Sequence, residues 1–326
     1  MERHALRWKA FGFAAVLLAG LLAGLVGSAA AFEVKEFPLP SGSGAHDVTP
    51  APDGTVWYTA QRKGVLGRLN PADGHVREVV LGGESAPHGV IVGPDGNAWV
   101  TDGGLNAIVR VDAGTHAVTV FPLPTREYAN LNTPVFDRAG VLWFTGQSGV
   151  WGRLDPQEGK VQVWSAPRGA GPYGITATPD GTVYYASLAG SYLGRVDAPG
   201  KVTVLDPPTL RQGARRAWSD SRGLVWVSYW SAGRVGRYDP KAAAWREWKL
   251  PGKNPLPYAV YVDAEDKVWL SDWDANALVR FDPVTEKFDA VPLPSRNAGV
   301  RQIDGRPGEV WGAESGAGKL VRIKTK

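Results

Sequence analysis

An aromatic residue returns seven times along this chain at nearly constant spacing, which demands a fold built by sevenfold internal repetition. Trp57, Trp99, Trp143, Tyr184, Trp226, Trp269 and Trp311 recur every 41 to 44 residues. An arginine ladder runs in step with them: Arg68, Arg110, Arg153, Arg195, Arg237, Arg280 and Arg322. A period near 42 residues means radial or solenoid repetition. The local grammar chooses between these. In the second repeat Gly89 to Val92 is a short apolar run, Pro94-Asp95-Gly96 a turn, and Ala98 to Thr101 the next run. Ala107 to Val111 and Val118 to Phe121 follow, closed by Pro122 and Pro124. Four short strands with Gly, Asp and Pro punctuation, and no three-and-four apolar spacing, describe a propeller blade rather than a helical solenoid. The fold expected is all-β, a seven-bladed propeller of four-stranded blades.

The ends indicate how the ring closes. Lys35-Glu36-Phe37-Pro38-Leu39-Pro40 resembles Val120-Phe121-Pro122-Leu123-Pro124 and Val291-Pro292-Leu293-Pro294, which are outermost strands, whereas the last repeat stops after its third strand at Leu320 to Ile323. The segment after residue 31 is therefore expected to complete the seventh blade, leaving no open edge. Residues 32–326 form the expected propeller domain, large enough to bury roughly three quarters of its unfolded surface.

Residues 1–31 read as an export signal. Arg3, Arg7 and Lys9 precede an uncharged apolar core, Phe11 to Val26, and Ala29-Ala30-Ala31 offers a small-residue cleavage site before Phe32. The core would span roughly 24 Å as a helix, short of a hydrocarbon layer of about 30 Å, which disfavours a retained anchor. The expected location is a periplasm or the medium, with no stable membrane anchor after cleavage. The chain has no cysteine, so no disulfide holds it and no lipid anchor can follow the signal. Losing the leader lowers the net charge from +4 to +2. The arginines are spread evenly over seven repeats instead of gathered on one face, so no nucleic-acid partner is expected. They read as structural groups pairing with turn carboxylates or carbonyls, and the tryptophans as packing between blades. The chain is expected to act as a monomer.

Function is sought where equivalent positions converge on the axis. Ten residues before each second strand stand His46, His88, Asn132, Tyr173, Arg215, Tyr258 and Val300, the last followed by Arg301. Fourteen residues further on stand Ala60, Asp102, Gly146, Ser187, Tyr229, Asp272 and Glu314, with Trp230 and Trp273 beside two of them. Antiparallel pairing returns the second set to the face where the first begins. His46, His88, Asn132, Tyr173, Arg215, Tyr258, Arg301, Trp230 and Trp273 are thus expected to form a concave site for a small molecule or peptide. The oxygen ligands Asp102, Asp272 and Glu314 suit a hard cation such as magnesium or calcium. Phosphate loops, nucleophile elbows and clustered Cys/His spacings do not occur.

Pro87-His88-Gly89-Val90, Pro94-Asp95-Gly96-Asn97-Ala98-Trp99 and the third-strand Val-Arg or Gly-Arg pairs resemble the repeats of the streptogramin B lyase family, also called virginiamycin B lyase, over all seven blades. The resemblance implies a carbon–oxygen lyase that opens cyclic depsipeptides at an ester by elimination. Magnesium would polarise the carbonyl and a histidine base would take the alpha proton. The family's metal-binding glutamate in the last blade matches Glu314. Its base falls at Val300, its other metal ligand at Ala298 and its supporting histidine at Tyr258. His88 and Asp102 repeat the fourteen-residue spacing of base and carboxylate in the second blade, making His88 the candidate catalytic residue. A non-enzymatic propeller binding a ligand or protein at the same mouth is the alternative, and a metal-dependent lactonase-like hydrolase a further one.

Overall fold

The computed structural model describes Met1 and residues 32–325, so the expected export signal lies outside the described residues apart from its first position. Seven four-stranded antiparallel sheets stand in a ring. The first blade runs through Ala45–Pro50, Val56–Ala60, Val65–Leu69 and Val76–Val80, and the next five repeat that order outward from the axis. The seventh holds Val300–Arg306, Glu309–Glu314 and Lys319–Lys324, with Glu33–Pro38 paired antiparallel on its outer edge. Its innermost strand packs on Ala45–Pro50, which closes the ring. The N-terminal strand is fastened further: the Glu36 carboxylate takes the Ser295 amide at 2.7 Å and the Lys319 ammonium at 2.5 Å, and Phe37 stacks on Trp311. Among the described residues no helix is long and apolar enough to cross a membrane.

The two ladders are one device. Each ladder aromatic faces the ladder arginine of its own blade directly across the second and third strands, from Trp57↔Arg68 to Trp311↔Arg322. The guanidinium lies over the indole in five of these pairs, at 4.7 Å for Arg68 on Trp57 and 5.7 Å for Arg237 on Trp226. The Pro-Asp-Gly turn joins them: Asp95 accepts from the Trp99 indole at 3.0 Å and pairs with Arg110 at 2.8 Å. Each aromatic then fills the core shared with the next blade, as Trp57 does among Val90, Val100 and Val109, and Trp226 among Val260, Val268 and Leu270. Seven such apolar wedges hold the ring, which accounts for a cysteine-free chain of this size.

A hydroxyl ladder that the sequence reading passed over ties the inner strands together. Every innermost strand slips register near its start, and such a bulge re-aims side chains. At these slips Thr59 accepts the Asp47 amide at 2.9 Å and donates to the His88 carbonyl of the next blade at 2.8 Å. Thr101, Thr145 and Ser228 do the same for Gly89, Thr133 and Arg216, reaching the carbonyls of Asn132, Tyr173 and Tyr258. The hydroxyls satisfy the groups that the bulges free. Glycine is required at Gly89 and Gly174, where a Cβ would lie 2.5 Å from the Asn132 carbonyl oxygen and the Arg216 Cα of the adjoining blade.

Candidate binding site at the channel mouth

The bulges place two residues per blade toward the axis, one above the other. In the upper ring stand His46, His88, Asn132, Tyr173, Arg215 and Tyr258, from blades one to six. The seventh place corrects the sequence count. In the first six blades the residue opposite the end of the second strand lies fifteen positions before it, as in Ala45↔Ala60 and Pro257↔Asp272, but Val300↔Glu314 spans fourteen. The last blade's hairpin, around Pro307-Gly308, is one residue shorter than the others. Counting back from Trp311 therefore overshoots by one, and Arg301, not Val300, stands level with His46. Val300 is level with Ala45 and buried in the blade core.

The upper ring is contiguous. The His46 and His88 rings lie 3.8 Å apart, and the Asn132 amide donates to His88 Nε2 across 3.2 Å. The Tyr173 and Tyr258 hydroxyls share a hydrogen bond of 2.5 Å. Arg215 donates to the Tyr173 hydroxyl at 3.1 Å, and its guanidinium lies 3.5 Å from the Tyr258 ring centre and 4.8 Å from that of Trp230. Tyr258 stacks on Trp273 at 4.9 Å, Trp230 stands edge-on to both, and Arg301 donates to Tyr258 and to Ser315. The nine expected ligand-binding residues thus adjoin one another at one mouth.

Below them the second bulge residues include Asp47, Thr133, Arg216 and Gln302, none of them marked out by the sequence reading. Arg216 forks onto Asp47 from across the channel at 2.7 and 3.2 Å and donates to Thr133 at 2.6 Å. Both partners are almost fully buried, with side chains 4% and 2% exposed. Beneath this pair an enclosed 180 Å³ cavity, lined by Val90, Ile175, Trp218 and Val260 among others, continues down the channel. The available signal was a charge one place after two of the candidate positions, in His46-Asp47 and Arg215-Arg216.

The electrostatics follow from this layout. Burial, then the charges of Arg216, Arg301 and Arg215, hold the His46 imidazole well below its usual range. His88 is lowered in the same way, first by burial and then by His46. Both rings are neutral at pH 7. For Tyr258, burial pushes the hydroxyl up, but Arg215 and Arg216, helped by the bond from Tyr173 and by Arg301, outweigh it and lower the pKa. Burial and the Tyr258 hydroxyl raise its partner Tyr173 to about 12.

The three expected metal carboxylates are not gathered. Asp102 accepts from the Ala86 and Leu105 amides and from Ser85, and Asp272 from the Leu256 and Asp274 amides. These are turn-closing bonds at the ends of the second strands of blades two and six. Glu314 is fully buried with both carboxylate oxygens unpartnered, and burial, with Glu36 nearby, raises it to about 8 against the pull of Lys319. The side chains of Ala298, Gly299, Val300 and Arg301 carry no oxygen or neutral nitrogen to set beside it, so they do not fit a magnesium ion, which wants an octahedron of hard donors. Among the described residues, His46, Asp47 and His88 offer ligand atoms within 4.8 Å of one another. There Asp47 is already spent on Arg216, whose guanidinium would repel a cation.

Against known proteins, the Virginiamycin B lyase family model matches residues 20–280. A virginiamycin B lyase from Nocardia farcinica is 28% identical over 219 residues, covering 67% of this chain and 74% of that protein. A solved streptogramin B lyase superposes with a TM-score of 0.83 at 23% identity, over 90% of this chain and 97% of its own. A catalytically inactive histidine-to-alanine variant of virginiamycin B lyase from Staphylococcus aureus, with quinupristin, gives 0.83 at 22% identity over 90% of this chain and all of its own. Likeness at these structural identities establishes the shared fold.

Proposed function

Because the chain belongs to the virginiamycin B lyase family, we propose that it is a propeller that recognises a small molecule or peptide at its channel mouth, with the family's metal-assisted elimination given up. One observation carries this reading. Val300, where the resemblance puts the base, is buried in the blade core, and Arg301, which takes the upper-ring place in the last blade, carries a guanidinium that does not deprotonate in proteins. The loss of donors around Glu314 points the same way, since an elimination that relies on a Lewis acid needs more than one neutral carboxyl. What remains is a ring of aromatic faces, two neutral imidazoles and directed hydrogen-bond donors, which is the equipment of recognition.

The test is a cyclic depsipeptide, titrated calorimetrically and, separately, incubated with the full chain and magnesium. Saturable binding lost in Trp273→Ala, without ring opening, is the expected result. Magnesium-dependent ring opening abolished by Glu314→Ala would overturn it in favour of the lyase. The same reading has the protein exported, on the basic and apolar pattern of residues 1–31. Amino-terminal sequencing of the mature protein is then expected to begin at Phe32, and a retained Met1 would contradict export by cleavage.

A further inference from the structure

Resting on that reading of the mouth as a binding site, we infer that the ligand is an organic acid, its carboxylate held between Arg215 and Arg301 and its flat apolar part laid against Trp273. Three arginines reach the inner rings, and only Arg216 has a carboxylate, Asp47. Arg215 makes one hydrogen bond, to the Tyr173 hydroxyl, and its Nε is buried with no partner. Arg301 makes two, both to hydroxyls, Ser315 and Tyr258. Each guanidinium has five N–H donors in a planar fork, so most remain unspent. The ring faces of Tyr173, Tyr258 and Trp230 offset part of the Arg215 charge, yet they take none of its in-plane donors.

Space and lining agree with this. An open 270 Å³ cavity at the mouth is lined by Arg301, Arg62, Trp273, Asn297 and Ser315 with no acidic side chain, and Arg215 stands outside that lining, on the Tyr258 ring that stacks on Trp273. That volume lies just under the usual range of about 300–1,000 Å³ for small-molecule sites, so the acid is a small one. Arg215 and Arg301 approach the Tyr258 ring from blades five and seven, with centroid distances of 3.5 and 5.8 Å. A carboxylate above that hydroxyl would meet two planar forks. The geometry favours a planar, singly charged anion with bidentate needs over a bare sphere of charge. The nearby histidines, neutral from burial, add donors or acceptors without adding competing negative charge.

The experiment titrates N-acetyl-L-phenylalanine, and separately its amide, into the full chain. The acid is expected to bind about tenfold or more tighter than the amide, in line with the strength of charge-assisted pairs. Arg215→Gln and Arg301→Gln should each bring the affinity for the acid down to that for the amide, and Arg301→Lys should restore only part of the preference because the fork is lost. Circular dichroism and the melting temperature show whether each variant folds, and Arg301→Gln carries the test if Arg215→Gln does not. Equal affinity for acid and amide, an acid preference that survives both arginine variants, or no saturable binding of the acid at millimolar concentration would overturn the inference. Amide or depsipeptide binding that falls with Trp273→Ala yet ignores both arginines would also overturn it while leaving the mouth a binding site. The two failures are therefore distinguishable.

Discussion

Asp47→Asn is expected to lower the melting temperature by on the order of 10 °C, the largest effect of any near-isosteric change in this protein. The substitution keeps the shape of the side chain while removing its charge and turning one of its two acceptor oxygens into an NH2 donor. Arg216 is then left buried with no counter-ion, and the His46 Nδ1 bond of 2.8 Å to Asp47 is weakened as well. Stripping one partner from a buried pair costs about 3–5 kcal/mol, because the remaining charge stays desolvated and unpaired. Each kcal/mol moves the transition of a chain this large by roughly 2–4 °C. Arg216→Met alone should cost a similar amount, since it orphans the carboxylate. The double variant should cost much less than the sum, because neither charge is then stranded. Scanning calorimetry of the four proteins decides this. Additive losses would mean that the two groups are not energetically coupled across the channel.

The second large effect concerns pH. The Glu314 carboxyl is raised from 4.5 to about 8, chiefly by burial. From pH 4.5 to about 8 the folded chain keeps a proton that the unfolded chain has released, so stability falls as pH rises through that window. The shift corresponds to a few kcal/mol at most, at about 1.4 kcal/mol per unit. Glu314→Gln keeps the volume and cannot ionise. Its melting temperature should match the wild type near pH 4.5 and exceed it increasingly up to pH 8, by several degrees. Asp304, raised to about 7 mainly by burial and further by Asp47, acts in the same direction. The histidines act in the opposite one. His46 and His88 are held well below 6.5, so the stability they contribute is present above 6.5 and lost as pH falls below it. A melting difference between Glu314→Gln and wild type that stays constant across pH would show that Glu314 ionises freely in the fold.

How far the chain could be read depended on the range of the interaction. Trp57 and Arg68 face each other across one hairpin, so their ladders appear as an offset of eleven residues, ten in the third blade, and survive translation into structure as cross-strand pairs. Closure by Glu33–Pro38 was legible for the same reason, since that segment repeats the wording of two other outermost strands. Two kinds of fact were not legible. One is register: a hairpin one residue shorter in the last blade moves Arg301 into the upper ring and Val300 into the core, and a spacing counted from Trp311 cannot show on which side of the bulge the residue was lost. The other is convergence. The carboxylates Asp102, Asp272 and Glu314 sit at equivalent repeat positions and read alike, but local amides claim the first two and nothing claims the third.

By itself, then, the sequence determined the architecture: the number of blades, their strands, the aromatic wedges between them and the face on which the polar residues gather. Those follow from short-range periodicity, which turn chemistry and side-chain alternation write directly into the chain. Only the tertiary structure decided which of the gathered residues meet. Asp47 and Arg216 are 169 residues apart, and the pairing that consumes one arginine and leaves Arg215 and Arg301 free exists only once the ring has closed. Partnering across a channel depends on distances in space, and a repeat records only distances along the chain.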